Sequence, residues 1–176
     1  SFAYADSSIF SLFNFKLIDG NPATALVRPN TVVLARTTAE KYFGTENPVG
    51  NTITLNNERE LEVTGVMRDI PQNSHFRYDV IASLETRRSW GELSDTQLRG
   101  AQFYTYVKLQ EDVNLQLVQS KVREILERYA SGSFVTALGF QPVTEIHLYS
   151  NAEQEFQPQG DIRYVMAAGF TALLIL

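Results

Sequence analysis

Residues 164–176, Tyr-Val-Met-Ala-Ala-Gly-Phe-Thr-Ala-Leu-Leu-Ile-Leu, contain no charged side chain. A helix made of them lacks the polar face that a water-exposed helix normally keeps. At about 1.5 Å per residue the run is too short to cross a bilayer, which needs ~20 residues. Two placements suit it: a core helix buried in its own domain, or the opening turns of a membrane helix. In the second case the inserting side chains are Tyr164, Val165, Met166, Phe170, Leu173, Leu174, Ile175 and Leu176.

The remainder is ordinary globular sequence. Of 176 residues, 44% are hydrophobic and 20% charged, enough for one large domain or two small subdomains. A formal net charge of -5 argues against nucleic-acid binding, which normally needs a basic patch, and gives no polybasic attraction to anionic lipid. The absence of cysteine removes disulfides, Cys-based zinc sites and thiol nucleophiles together. Ser1-Phe2-Ala3-Tyr4-Ala5-Asp6 has no basic n-region and reads as strand, so the expectation is a start inside a larger gene product.

Asp6-Ser7-Ser8 can cap a short helix carrying Ile9, Phe10, Leu12 and Phe13. Residues 15–18 read as a strand stopped by the turn dipeptide Asp19-Gly20, and residues 31–35 as a β-branched strand. Thr37-Thr38-Ala39-Glu40 fits a capping box for a helix that stops at Gly44. Alternation in 51–55 and 58–63 around Asn56-Asn57 predicts a β-hairpin over about 51–66. Residues 79–84 and 103–109 read as strands, and polar 85–100 as a loop with helical turns around Trp90. Leu115, Val118, Val122, Ile125, Leu126 and Tyr129 place an amphipathic helix over about 114–130. Closing strands are expected at 138–143 and 145–148. The order predicts an α+β fold with a mixed or antiparallel sheet and packed helices.

Chemistry is sparse. The two histidines, His75 and His147, show no H-x-x-x-H or H-x-x-E-H spacing, and zinc needs three or four ligands. There is no G-x-S-x-G elbow, P-loop or G-x-G-x-x-G fingerprint. Ser74-His75 adjacency does not make a triad. Glu58, Glu60 and Glu62 read as a solvated strand face. The aromatic set Phe10, Phe13, Phe15, Tyr42 and Phe43 lines either a groove or the core. Arg68, Asp69, Pro71, Asn73 and His75 gather in one loop, a docking loop or a plain polar surface.

Several motifs then come in a recognisable order. Asp6-x-x-Ile9-Phe10-x-x-Phe13, Gly20, Pro29-Asn30-x-Val32-Val33-Leu34 and Ala39-x-Lys41-Tyr42-Phe43-Gly44 are followed by Asn47-Pro48-Val49-Gly50-Asn51 and Val63-Thr64-Gly65-Val66. Asp69-Ile70-Pro71-x-Asn73-Ser74-His75, Trp90, Thr105-Tyr106-Val107-x-Leu109 and Ile146-His147-Leu148 complete the series. The succession resembles the MacB-like periplasmic core domain of MacB/FtsX-type ABC transporter permeases, in the branch common in Bacteroidetes.

The resemblance implies a periplasmic core domain over residues 1–160, with a porter-like part (about 1–70 and 103–148) and an inserted part (about 71–102). Residues 161–176 would begin a transmembrane helix, led in by Gly160-Asp161-Ile162-Arg163-Tyr164. An earlier membrane helix, strand and helix would lie upstream of Ser1, leaving an exposed sheet edge here. It further implies a non-catalytic domain in the periplasm of an inner-membrane permease, with no cofactor of its own. ATP would be bound by a cytoplasmic ABC ATPase. The permease would form a homodimer or a pair in membrane lipid, beside a periplasmic adaptor or outer-membrane channel. The competing expectations are a soluble periplasmic ligand- or protein-binding module with a buried C-terminal helix, and a hydrolase or metal enzyme using His75 and His147.

Overall fold

The computed structural model describes residues 1–71, 73–93, 103–129 and 140–146. They fall into two bodies, one up to residue 108 and one from residue 109 onward. In the first, six strands form one mixed sheet. Across it run β1 (Phe2–Ala5), β6 (Val80–Ser83), β3 (Thr31–Ala35), β5 (Arg59–Met67) and β2 (Leu17–Gly20), with β4 (Thr52–Leu55) also on β5. β1 is parallel to β6, β6 antiparallel to β3, and β3 parallel to β5. β4 and β2 both lie antiparallel on the other edge of β5, β4 against its first half and β2 against its last residues. The fold is therefore α+β with a mixed sheet, as the sequence predicts.

β3 is central because Thr-Val-Val-Leu-Ala can be buried on both faces, as a strand between two neighbours must be. Its side chains alternate. Val33 and Ala35 join Phe10, Ala25, Leu26, Met67 and Ile81 on one face. Val32 and Leu34 join Ala39, Leu61, Val63, Val66 and Ala82 on the other. Helix α1 (Ile9–Leu12) delivers Phe10 to the first layer, and α2 (Arg36–Phe43) delivers Ala39 to the second. Burying each large aliphatic side chain contributes about 1.5–3 kcal/mol.

The hairpin forms as expected, with Asn56 and Asn57 at φ 54° and 58°, the left-handed pair of a tight hairpin turn. Its alternation does not run straight through. Val32 pairs with Val63 and Val33 with Gly65, so Thr64 is one residue extra. This bulge resets the parity of β5, letting Leu61, Val63 and Val66 share a face while Met67 turns to the opposite one. The Thr64 hydroxyl donates to the Ala25 carbonyl at 2.6 Å, with the Val32 carbonyl at 3.2 Å. It helps fasten the crossover of residues 21–30, as do Thr31, Ser83 and Thr86. Thr31 donates to the Arg28 carbonyl and Ser83 to the Leu26 carbonyl, while Thr86 accepts from the Asn30 N–H. Among the described residues no buried side-chain donor or acceptor lacks a partner.

Some local expectations give way. Asp19-Gly20 is not a turn after the strand but forms the last two residues of β2, which begins at Leu17 and not at Phe15. Gly20, at φ 89°, lies opposite Gly65, where a Cβ would sit 2.4 Å from the Thr64 carbonyl oxygen. α2 starts at Arg36 with Ala35 as N-cap, so Thr37 is inside the helix. Residues 103–109 alternate in sequence yet form no strand, because no described strand pairs with them. Within the stretch of about 71–102, β6 lies in the sheet between β1 and β3, followed by helix α3 (Leu84–Ser89). β1 has β6 as its partner among the described strands, and Phe2 on it is exposed.

In the second body, α4 (Leu115–Tyr129) matches the predicted helix. Its N-terminus is capped by Asn114, whose Oδ1 accepts from the N–H groups of Gln116 and Leu117. Leu115 and Ile125 are exposed, and Val118 and Val122 half-buried. Residues 143–145, at the junction of the two expected closing strands, form a 3-10 turn, and residues 140–142 and 146 are not strand. The remaining parts of the expected closing strands, 138–139 and 147–148, lie outside the described residues, as do 161–176. No helix among the described residues is long and apolar enough to cross a membrane.

Candidate functional site

The loop from β5 to β6 carries Arg68, Asp69, Pro71, Asn73 and His75, and the structure divides them. Asp69 turns inward. Its Oδ1 accepts the Thr37 backbone N–H at 3.0 Å and its Oδ2 accepts from Arg36 Nη2 at 3.3 Å. The carboxylate thus caps α2 from 32 residues away, satisfying a donor that α2 cannot satisfy locally. Partial burial raises the Asp69 pKa, but the hydrogen bonds from Thr37 and the Arg36 guanidinium outweigh it and hold the carboxyl below the ordinary value.

His75 is half-buried, and its Nε2 shares a hydrogen bond with the Tyr106 hydroxyl at 3.1 Å. The two belong to an aromatic cluster. The Phe13 ring lies 4.5 Å from Phe76 and 5.2 Å from Tyr106, and Phe15 lies 5.7 Å from Phe76, all close to edge-on. Each such pair contributes about 0.5–1.5 kcal/mol beyond area burial. Burial pushes the neighbouring Tyr78 phenol well above its ordinary range. The loop is therefore held at both ends, by Asp69 on α2 and by the His75-Phe76 pair in the cluster. Pro71 and Asn73 between them are exposed, as is Arg68 just before Asp69.

The aromatic set proposed as groove or core splits. Phe10 is buried and Phe15 packs with it on one face of the sheet, while Phe43 packs on the other. Tyr42 points to solvent with 66% of its surface exposed. Trp90 packs against the second face, and the Arg59 guanidinium lies 3.9 Å above its ring. Glu92 accepts from Arg59 at 2.8 Å and from Arg87 at 3.4 Å, and Arg87 in turn lies over Tyr4. The hydrogen bond from Arg59 is the main reason the Glu92 carboxyl falls below its ordinary pKa. Glu58 and Glu60 are exposed, and half-buried Glu62 pairs with Arg28 at 3.0 Å. Among the described residues no three His, Asp or Glu side chains are grouped to hold a metal, and His147 lies outside them.

Sequence pattern alone does not pair Tyr106 with His75 or Thr37 with Asp69. The only signals were an aromatic in an alternating run and a carboxylate before a proline.

A mixed sheet packed on both faces, with its polar clusters spent on tying loops and helices to that sheet, defines an α+β scaffold domain. The profile of the MacB-like periplasmic core domain matches residues 1–125, well over half of the chain, and the chain belongs to that family. It is a MacB-like periplasmic core domain.

Two solved structures are similar. A domain assigned to a permease protein of Porphyromonas gingivalis is 20% identical, with a TM-score of 0.54 over 72% of this chain and 58% of that one. The periplasmic region of MacB from Actinobacillus actinomycetemcomitans is also 20% identical, with a TM-score of 0.49 over 73% of this chain and 55% of that one. The chain thus spans little more than half of either structure. A search of the curated proteins finds no match.

Proposed function

We propose that this domain is a non-catalytic relay. A cytoplasmic ATPase clamps and releases, membrane helices carry the motion across the bilayer, and the domain moves a substrate or partner for export or extraction. Membership of the MacB-like periplasmic core domain family carries the proposal. A sheet with apolar layers on both faces supports it, since a transmitter must move as one body rather than deform. In the same proposal residues 161–176 begin a membrane helix, the permease works as a homodimer or pair, and a periplasmic adaptor or outer-membrane channel completes the path. Arg68, Pro71 and Asn73 are the part of the loop that would meet such a partner.

This chain has no cysteine, so single-cysteine labelling of the full permease in intact cells, with any cysteine elsewhere in it replaced, tests the topology. Tyr42→Cys, highly exposed, should react with a membrane-impermeant maleimide, whereas Leu174→Cys should be protected. Labelling of Leu174→Cys at the Tyr42→Cys rate would defeat the membrane-helix assignment. Labelling of Tyr42→Cys only after inner-membrane lysis would defeat the periplasmic one. Transmission itself predicts that crosslinks between paired domains change yield when the ATPase is trapped with nucleotide. Identical yields in both states would refute the relay.

A further inference from the structure

We draw no further inference here: the strongest candidate, the apolar stripe of α4 formed by Leu115, Val118, Val122 and Ile125 in the second body, is a helix face for which nothing in the structure shows what covers it.

Discussion

Gly20→Ala tests the close crossing of β2 and β5. Gly20 and Gly50 have almost the same φ, 89° and 90°, a region that side chains rarely adopt, so an added Cβ is strained at each. That strain costs about 1–2 kcal/mol. The surroundings differ. At Gly50 nothing lies within 4 Å of the new Cβ, whereas at Gly20 it would lie 2.4 Å from the Thr64 carbonyl oxygen and 2.7 Å from the Gly65 Cα. Both obstacles are backbone, so no side chain can swing away. β2 must shift off β5, which disturbs the pairing of Gly20 with Gly65 and of Asp19 with Val66. Forced overpacking of this kind costs about 1–3 kcal/mol, and each ladder hydrogen bond lost about 1 kcal/mol more. Equilibrium urea unfolding of the purified chain should therefore give a loss of about 1–2 kcal/mol for Gly50→Ala and about 3–6 kcal/mol for Gly20→Ala with one ladder bond lost. Equal losses at the two positions, within about 0.5 kcal/mol, would refute the steric reasoning and leave backbone strain alone.

Asp69→Asn should reshape the acid limb of the stability curve. The folded-state pKa of Asp69 is lowered, so its stabilisation is present above the unfolded value and fades as pH falls through the folded one. The variant should lose stability at neutral pH and show a flatter decline below about pH 4, read by urea melts across pH. A parallel decline in both proteins would contradict the cap. Met67→Ala empties a fully buried position and should cost about 2–5 kcal/mol in the same melts; a loss near zero would mean the first apolar layer is wrongly placed. A double-mutant cycle on Arg59 and Trp90 should give a coupling of about 0.5–1 kcal/mol. A coupling of zero would show that the guanidinium and ring do not interact in solution.

The sequence made the local elements legible where one side-chain period held. Thr31 to Ala35 is continuously β-branched or apolar and became the central strand, and Leu115, Val118, Val122 and Ile125 recur at helical spacing in α4. Asn56-Asn57 marked its turn by the one property that matters there, tolerance of positive φ. Residues whose role is set by distant backbone were misread. Asp19-Gly20 has the composition of a turn, but Gly20 is needed for its missing Cβ beside Gly65, a neighbour 45 residues on (65 − 20). Thr37 satisfied a local capping pattern, while the true cap came from beyond the hairpin. Phe103 to Leu109 alternated like a strand, but alternation records which faces differ in polarity and not whether a partner lies alongside. Residues 69–71 and 73–75 form a loop, as the sequence predicts. That Asp69 and His75 are used up inside it depends on Thr37, Arg36 and Tyr106, none of them near in sequence.

The distant cap has a consequence for the order of assembly. An eight-residue helix is far below the length that persists alone in water, so α2 needs help from outside itself. That help arrives when β5 pairs with β3, which sets Met67 beside Ala35 and so brings Asp69 to the start of α2. The helix and the β3–β5 pairing should accordingly open together, so amide exchange in α2 reports on the integrity of a strand pair formed outside it.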